Sequence, residues 1–232
     1  MKSTFLSFAL AGLATLSAAS AGTVALTVAG TSNLWLAGQP NGTLLAGDSA
    51  PAQSPPAVAL SIQPGSTFTF SAAGTVGYPD QPAGPDGATA GSHGAAFGVS
   101  GISANWNALI GVFVTDAVPG GAAPSSLNFG AAGLTTNFTA LSPLLGQSFF
   151  IGDGLTSGGI IQQFVVPVGA TRLFLGTLDG SGWYNNTGSF AVTASFTPLN
   201  VSTVPDAGSI WTLLIFAGLG LAGCSVLRRN LV

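Results

Sequence analysis

The sequence predicts an all-β protein, a β-sandwich flanked by two apolar terminal helices. Three observations predict this fold. Short segments alternate between apolar and polar residues, as residues 66–71 (STFTFS) and 190–196 (FAVTASF) do. The 34 glycines and 14 prolines supply turns between such segments. Residues 22–203 contain no convincing amphipathic helix pattern, which favours a sheet-on-sheet architecture in a single domain.

The first segment, residues 1–21, is typical of a secretory signal peptide. Lys2 provides the positively charged N-terminal region, residues 5–16 are apolar, and Ala19-Ser20-Ala21 provides a small-residue cleavage site. A membrane anchor is the alternative, but the apolar run is short for a span of about 20 residues. We therefore expect an exported protein that signal peptidase processes.

The strands of the mature domain follow between residues 22 and 203. In residues 190–196, Phe190, Val192, Ala194 and Phe196 share one face and small polar residues the other, so one face is expected to be buried. The segments 38–57 and 79–95 are rich in Gly, Pro, Ala and Ser and are predicted to be loops. The other strand predictions are residues 23–28, 58–62, 109–114, 162–166 and 172–175.

The last segment, residues 204–232, contains an apolar span. Residues 210–227 (IWTLLIFAGLGLAGCSVL) carry no charge over 18 residues, enough to cross a bilayer at about 1.5 Å per residue. An Arg pair follows directly, and the positive-inside rule keeps it in the cytoplasm and everything upstream outside. The motif VPDAGS (204–209) precedes the span.

This tail resembles the C-terminal sorting signals of the PEP-CTERM class, in the VPDSG variant, with Ala207 where that pattern has Ser. The resemblance implies that an exosortase, a membrane-embedded cysteine transpeptidase, cuts near the motif and moves the protein to the cell surface or extracellular matrix. A plain tail anchor is the alternative. The implied sorting residues are Val204, Pro205, Asp206, Arg228 and Arg229.

Composition excludes several classes of function. Four Lys and Arg residues cannot neutralise a nucleic-acid backbone, so we expect no nucleic-acid binding. A single His and a single Cys exclude intrachain disulfides and metal sites built from several imidazoles or thiolates. Because the chain has no Glu and one His, its acid–base inventory is thin, and an enzyme is the least expected class.

The loop 179–187 concentrates the remaining polar chemistry. Asp179 supplies a carboxylate, Asn185 and Asn186 supply amides, and the loop has neither His nor Cys. Such an all-oxygen set suits Ca²⁺. Trp183 and Tyr184 add flat apolar surfaces beside polar groups, as sugar sites do. Turn formation is the alternative explanation for Asp and Asn here.

The stretch 185–190 (NNTGSF) resembles the end of the bacterial calcium-dependent galactophilic lectins, the LecA-like or PA-I-type family. Upstream, residues 64–65 (PG), 72–74 (AAG) and Tyr78 are similar to that family's PGD…AAG…Y segment. The resemblance covers about residues 60–197. It implies a galactose-binding, jelly-roll-like β-sandwich whose ligands are galactose-like or other glycans.

The resemblance also implies a site in which Ca²⁺ and sugar share their ligands. The implied metal ligands are Asp179, Asn185, Asn186, the Tyr78 carbonyl and a loop carbonyl of Ser181 or Gly182. The loop between 179 and 185 is one residue shorter than the family's. The implied sugar contacts are Asp179, Asn185, Asn186 and His93, with a solvated loop residue as the alternative for His93. Trp183 is added as a sugar contact because of its flat apolar ring, not because of the resemblance.

Two functions therefore stay open. The first is an exported, exosortase-sorted surface protein with a calcium-dependent carbohydrate-binding domain. The second is a structural matrix or surface protein whose calcium loop only stabilises the fold.

The sorting signal can be tested by replacing Arg228 and Arg229 with Ala. Loss of the cytoplasmic positive charge is expected to stop tail removal and surface delivery. Immunoblots of surface and membrane fractions, with tags on either side of the tail, measure both. Surface delivery with the tail removed in the variant would contradict the proposed signal.

Overall fold

The computed structural model describes residues 21–48, 54–60 and 64–197. Regular structure in these ranges is nearly all β-strand, which confirms the predicted all-β class. Within these ranges, no helix combines the length and the apolar character that a bilayer span requires. All the described residues belong to one compact unit. Residues 1–20 of the predicted signal peptide and the whole predicted sorting signal, 204–232, lie outside the described residues.

Twelve strands and two 3-10 helices form within the described ranges. The strands are β1 (Gly22–Ala29), β2 (Ala57–Ala59), β3 (Thr67–Gly77), β4 (Ala90–His93), β5 (Ile102–Asn105), β6 (Leu109–Val114), β7 (Leu127–Asn128), β8 (Ala140–Leu141), β9 (Ser148–Phe150), β10 (Gln163–Val165), β11 (Arg172–Thr177) and β12 (Thr187–Thr197). The 3-10 helices are Leu34–Leu36 and Trp183–Asn185.

The strands form three sheets. The largest has the order β1-β12-β3-β10-β8, the second β2-β11-β6-β9 and the third β4-β5-β7. The longest pairing joins β12 and β3, antiparallel from Thr187↔Gly77 to Thr197↔Thr67. Because β12 also pairs with the whole of β1, it lies in the interior of the largest sheet.

Most strand predictions agree with the structure. The segments 23–28, 66–71, 109–114, 162–166, 172–175 and 190–196 correspond to β1, β3, β6, β10, β11 and β12. Strand β2 covers the start of segment 58–62, of which residues 61 and 62 lie outside the described residues. The loop prediction for 79–95 is wrong at β4. Its sequence AGSH contains no Val, Ile, Thr, Phe, Tyr or Trp, the residues that favour strands, and the strand exists through its pairing with β5.

The two larger sheets share one aromatic core. Phe68 of β3 lies 6.1 Å from Phe113 of β6 between ring centroids, and Phe149 of β9 lies 5.3 Å from Phe164 of β10. All four rings are fully buried. Each buried ring contributes about 1.5–3 kcal/mol relative to exposure. The predicted inward face of β12 is confirmed, since Phe190, Val192 and Ala194 are buried and Phe196 packs against the core.

Strand β6 differs from the expectation of one buried and one exposed face, because all six of its residues are buried. The 3-10 helix Leu34–Leu36 contacts both β6 and β11, and its three residues are fully buried. A Cβ atom added at Gly176 of β11 would lie 2.7 Å from the Ser32 carbonyl oxygen. The absence of a side chain at Gly176 therefore allows this covering segment to approach the sheet closely.

Replacing Gly176 with Ala is expected to destabilise the fold by about 1–3 kcal/mol, because the neighbours of the added methyl group are backbone atoms. Gly120→Ala is the matched control, since nothing lies within 4 Å of its added Cβ atom. Urea unfolding of both variants measures the difference. Equal stability of the two variants would contradict this account of the packing at Gly176.

Candidate functional site

The Asp179 loop begins where the β11–β6 pairing ends. The Leu178 amide donates to the Ala108 carbonyl at 3.0 Å, and the Asn107 amide donates to the Leu178 carbonyl at 2.8 Å. These bonds continue the ladder two residues beyond the strands. Asp179 is thereby fixed at the end of a buried sheet, beside the turn that joins β5 to β6.

The loop closes on its own carboxylate. Asp179 Oδ1 accepts hydrogen bonds from the Gly180 amide at 2.6 Å and the Ser181 amide at 3.4 Å. Gly182 then adopts φ 85°, a left-handed conformation that suits glycine and leads into the 3-10 helix Trp183–Asn185. The chain is thus reversed within a few residues and returns along β12.

Asn186 ties the loop to the largest sheet. Its side chain is 7% exposed, and its Nδ2 donates to Asp179 Oδ2 at 2.8 Å and to the Gly30 carbonyl at 3.3 Å. Both partners are acceptors, so the amide nitrogen faces them. The end of β1, the start of β12 and the loop carboxylate are therefore joined by one side chain.

An open cleft of about 420 Å³ lies over this loop. All five residues predicted as metal ligands line it: Tyr78, Asp179, Ser181, Asn185 and Asn186. They come from two segments about a hundred residues apart, and the pairing of Thr187 with Gly77 makes them neighbours. The structure therefore brings the predicted ligand residues together.

The cleft also contains side chains that the sequence analysis missed. Trp106 and Asn107 form its wall from the turn between β5 and β6, with Gln81 and Thr89 beside them. The Trp106 ring lies against the glycine backbone of Gly91, where a Cβ atom would collide with it. The sequence feature that could have indicated these wall residues is the triplet Asn-Trp-Asn at 105–107, which directly precedes the correctly predicted strand β6.

Trp183, predicted as a sugar contact, is fully buried and does not line the cleft. Its Nε1 donates to the Thr177 carbonyl at 3.1 Å, and its ring centroid lies 5.7 Å from that of Trp35. The 3-10 helix turns this ring towards the core while Tyr184 points outwards, half exposed. Trp183 therefore has no exposed face for a ligand, and the indole that lines the cleft is that of Trp106.

His93, the other predicted sugar contact, lies at the end of β4 and does not line the cleft either. Its ring centroid lies 3.7 Å from that of Trp35 and 5.5 Å from that of Trp183, so it is packed between aromatic rings. Its Nδ1 donates to the Gly94 carbonyl at 2.7 Å. Burial lowers the pKa of His93, and the Gly94 carbonyl and the charge of Asp179 oppose that shift.

The oxygen atoms that the cleft offers are of the types that bind calcium. The cleft offers one carboxylate, several amide oxygens and backbone carbonyls, which are the ligands that Ca²⁺ takes. Asp179 Oδ2 and the Tyr78 carbonyl each accept one hydrogen bond from the described residues, the latter from the Gln81 amide, so each keeps a second lone pair. Within 21–48, 54–60 and 64–197, no three His, Cys, Asp or Glu side chains come together in a way that could hold a metal ion.

Compared with known proteins, the chain matches no family model, no curated protein and no solved structure. The motifs of the sequence and the geometry of this cleft are therefore the features that indicate a function.

The lowered pKa of His93 predicts a pH dependence of stability. The folded state binds this proton less readily than the unfolded chain, so the stabilisation is present above the unfolded pKa of about 6.5 and is lost as the pH falls below it. Melting temperatures between pH 7.5 and 5.5 measure it. His93 is the single histidine of the chain, so His93→Phe is expected to flatten this dependence. An equal decline in both proteins would contradict the assignment.

Proposed function

We propose that residues 22–203 form an exported, jelly-roll-like β-sandwich that binds carbohydrate with Ca²⁺ at the Asp179 cleft. One observation supports this proposal above the others. The five residues that the lectin resemblance assigns to the metal all line a single open cleft, although they come from both ends of the resembling region. If Asp179, Asn185 and Asn186 served only to form a turn, Tyr78 from a distant segment would not need to lie in the same cleft.

The chemistry of the cleft suits an uncharged polyhydroxylated ligand. Asp179, Asn107, Gln81 and Asn185 offer carboxylate and amide groups, which pair with hydroxyls as donors and acceptors. The Trp106 ring supplies an apolar surface on the same wall, and sugars present apolar faces of C–H groups to such rings. A mixed lining of this kind is typical of small-molecule sites.

A calcium ion would be held by Asp179, Asn185 and Asn186 together with the backbone carbonyls of Tyr78 and Ser181. Bound there beside a single carboxylate, it would supply a net positive centre that polarises sugar hydroxyls. The protein's own groups would orient the sugar, with the Asp179 loop fixed by the Asn186 side chain and the aromatic wall fixed by packing on Gly91.

The proposal includes export and sorting. Signal peptidase would remove residues 1–21, and β1 begins at the next residue, Gly22. An exosortase-type enzyme would then act on the tail 204–232, after a transient stay in the inner membrane. The folded domain between these signals would be displayed at the cell surface or in the matrix.

A structural surface or matrix protein is the second candidate, and a specific observation favours it. Both Asp179 oxygens already accept protein N–H groups, and Asn186 ties them to the Gly30 carbonyl. A loop closed in this way contributes to stability without any ligand. An ion bound there would raise the melting temperature, whereas sugars would add nothing.

The two candidates are separated by calorimetric titration of galactose and a glycan array, with Ca²⁺ and with chelator. Asp179→Asn and Asn185→Ala are expected to weaken binding by about tenfold or more, or about 1.4 kcal/mol each. Asn185 is exposed, so its variant is expected to keep full stability. Asp116→Asn and Asn41→Ala, exposed and outside the cleft, are the matched controls.

Calcium-independent binding, or binding that survives both cleft variants, would overturn the proposed site. An increase in melting temperature with Ca²⁺ and no heat from any glycan would favour the structural candidate.

A further inference from the structure

Strand β1 is an edge of the largest sheet. All eight of its residues pair with β12 on one side, from Gly22↔Phe196 to Ala29↔Ser189. On its other side no strand of the described ranges pairs with it. A row of backbone N–H and C=O groups is therefore available there, which is the arrangement that accepts a further strand.

This edge lacks the usual protection against pairing. Natural edges are short, charged, bulged or interrupted by proline. The opposite edge of the same sheet, β8, has two residues, and the edges of the second sheet, β2 and β9, have three each. Strand β1 (GTVALTVA) has eight residues, no charge, no proline and an uninterrupted register with β12.

The apolar face of the sheet continues onto this edge beyond the part that the core covers. Val24 and Leu26 lie opposite Ala194 and Val192 of β12, both of which are buried. Val24 itself is 37% exposed, and Leu26 is partly buried. Another strand added beyond β1 would cover these two side chains.

The sequence of β1 is complementary to itself. Residues 23–27 (TVALT) have the same order of residue classes in both directions about Ala25. An antiparallel copy centred on Ala25 places Val24 opposite Leu26 of the second copy and Thr23 opposite Thr27. Apolar side chains then meet on one face and hydroxyls on the other, and β1 carries no charge that would repel its copy.

We propose that two copies of this chain pair through β1, antiparallel about Ala25, and join their five-stranded sheets into one continuous ten-stranded sheet. The contact is isologous, because the same strand contributes from both copies about a two-fold axis. It uses neither the Asp179 cleft nor calcium, so it stands or falls independently of the carbohydrate proposal.

Site-specific disulfide formation tests this register. The full chain, with Cys224→Ser to remove its own cysteine, carries Ala25→Cys and is oxidised in mild detergent. Across the two-fold axis the two Ala25 Cα atoms would lie about 4.5–5.5 Å apart, within disulfide range. We expect most of the chain to become a dimer that reductant reverses on a denaturing gel.

The matched control is Thr193→Cys in the same background. Thr193 is the Cα partner of Ala25 on β12, and both are exposed. In the proposed dimer its two copies are separated by three strand spacings, about 14 Å, beyond disulfide reach. Equal cross-linking of the two cysteine variants, or no dimer from Ala25→Cys, would overturn the proposal.

A second variant tests the apolar face. Adding Val24→Lys to the Ala25→Cys chain places a charge opposite Leu26 of the second copy, and the cross-link is expected to fall at least about fivefold. Val24 is exposed enough that the circular dichroism and melting temperature of the variant are expected to match those of the parent. Undiminished cross-linking would overturn the proposed register.

Discussion

The antiparallel pairing of β12 with β3 is the interaction on which the candidate site depends. Its register places Thr187 opposite Gly77, so the residues immediately outside the two strands, Asn186 and Tyr78, become neighbours. The Asp179 loop lies between the buried end of β11 and this pairing, and both of its ends are held by sheet hydrogen bonds. The cleft is therefore a consequence of strand register more than of loop sequence.

The domain has few charged side chains, so each of them contributes a large share of the local electrostatic potential. Within the described ranges, Arg172 is the one Lys or Arg residue, and it donates to the carbonyls of Thr115 and Ala117. No arginine or lysine lines the Asp179 cleft. A cation that enters there meets one carboxylate and no basic competitor, whereas a neutral ligand meets mainly amides and an indole. Such a cleft discriminates by hydrogen-bond geometry rather than by long-range attraction.

The sequence predicted strands correctly where the alternation of apolar and polar residues matches the burial of their side chains. Strands β1, β3 and β12 follow from alternation, because a period of two requires one face to be covered. Strand β4 was missed because its residues pair only when β5 is already present. The inward direction of Trp183 and the position of Trp106 in the cleft were also missed. Residue type identifies an aromatic side chain, but a turn or a 3-10 helix decides whether it faces the core or the solvent.

The convergence of Tyr78 with Asp179, Asn185 and Asn186 followed from a resemblance, not from periodicity. Nothing in local pattern relates residue 78 to residue 186, because their proximity is set by the β12–β3 register. His93 shows the converse. The position of His93 along the chain suggested that it contacts the sugar. In the structure its ring packs between Trp35 and Trp183 and so belongs to an aromatic cluster next to the loop.

The position of β12 also determines how the domain carries mechanical load. The strand begins at Thr187, directly after the cleft residue Asn186, and ends at Thr197, directly before the chain continues towards its C-terminus. A pull between a ligand in the cleft and the chain beyond residue 197 runs along about 36 Å of a single strand. Because β1 and β3 flank that strand on both sides, the load shears two ladders of hydrogen bonds at once instead of opening one ladder bond by bond. If the domain is held at the cell surface by its C-terminal tail, as proposed, tension would act along this strand.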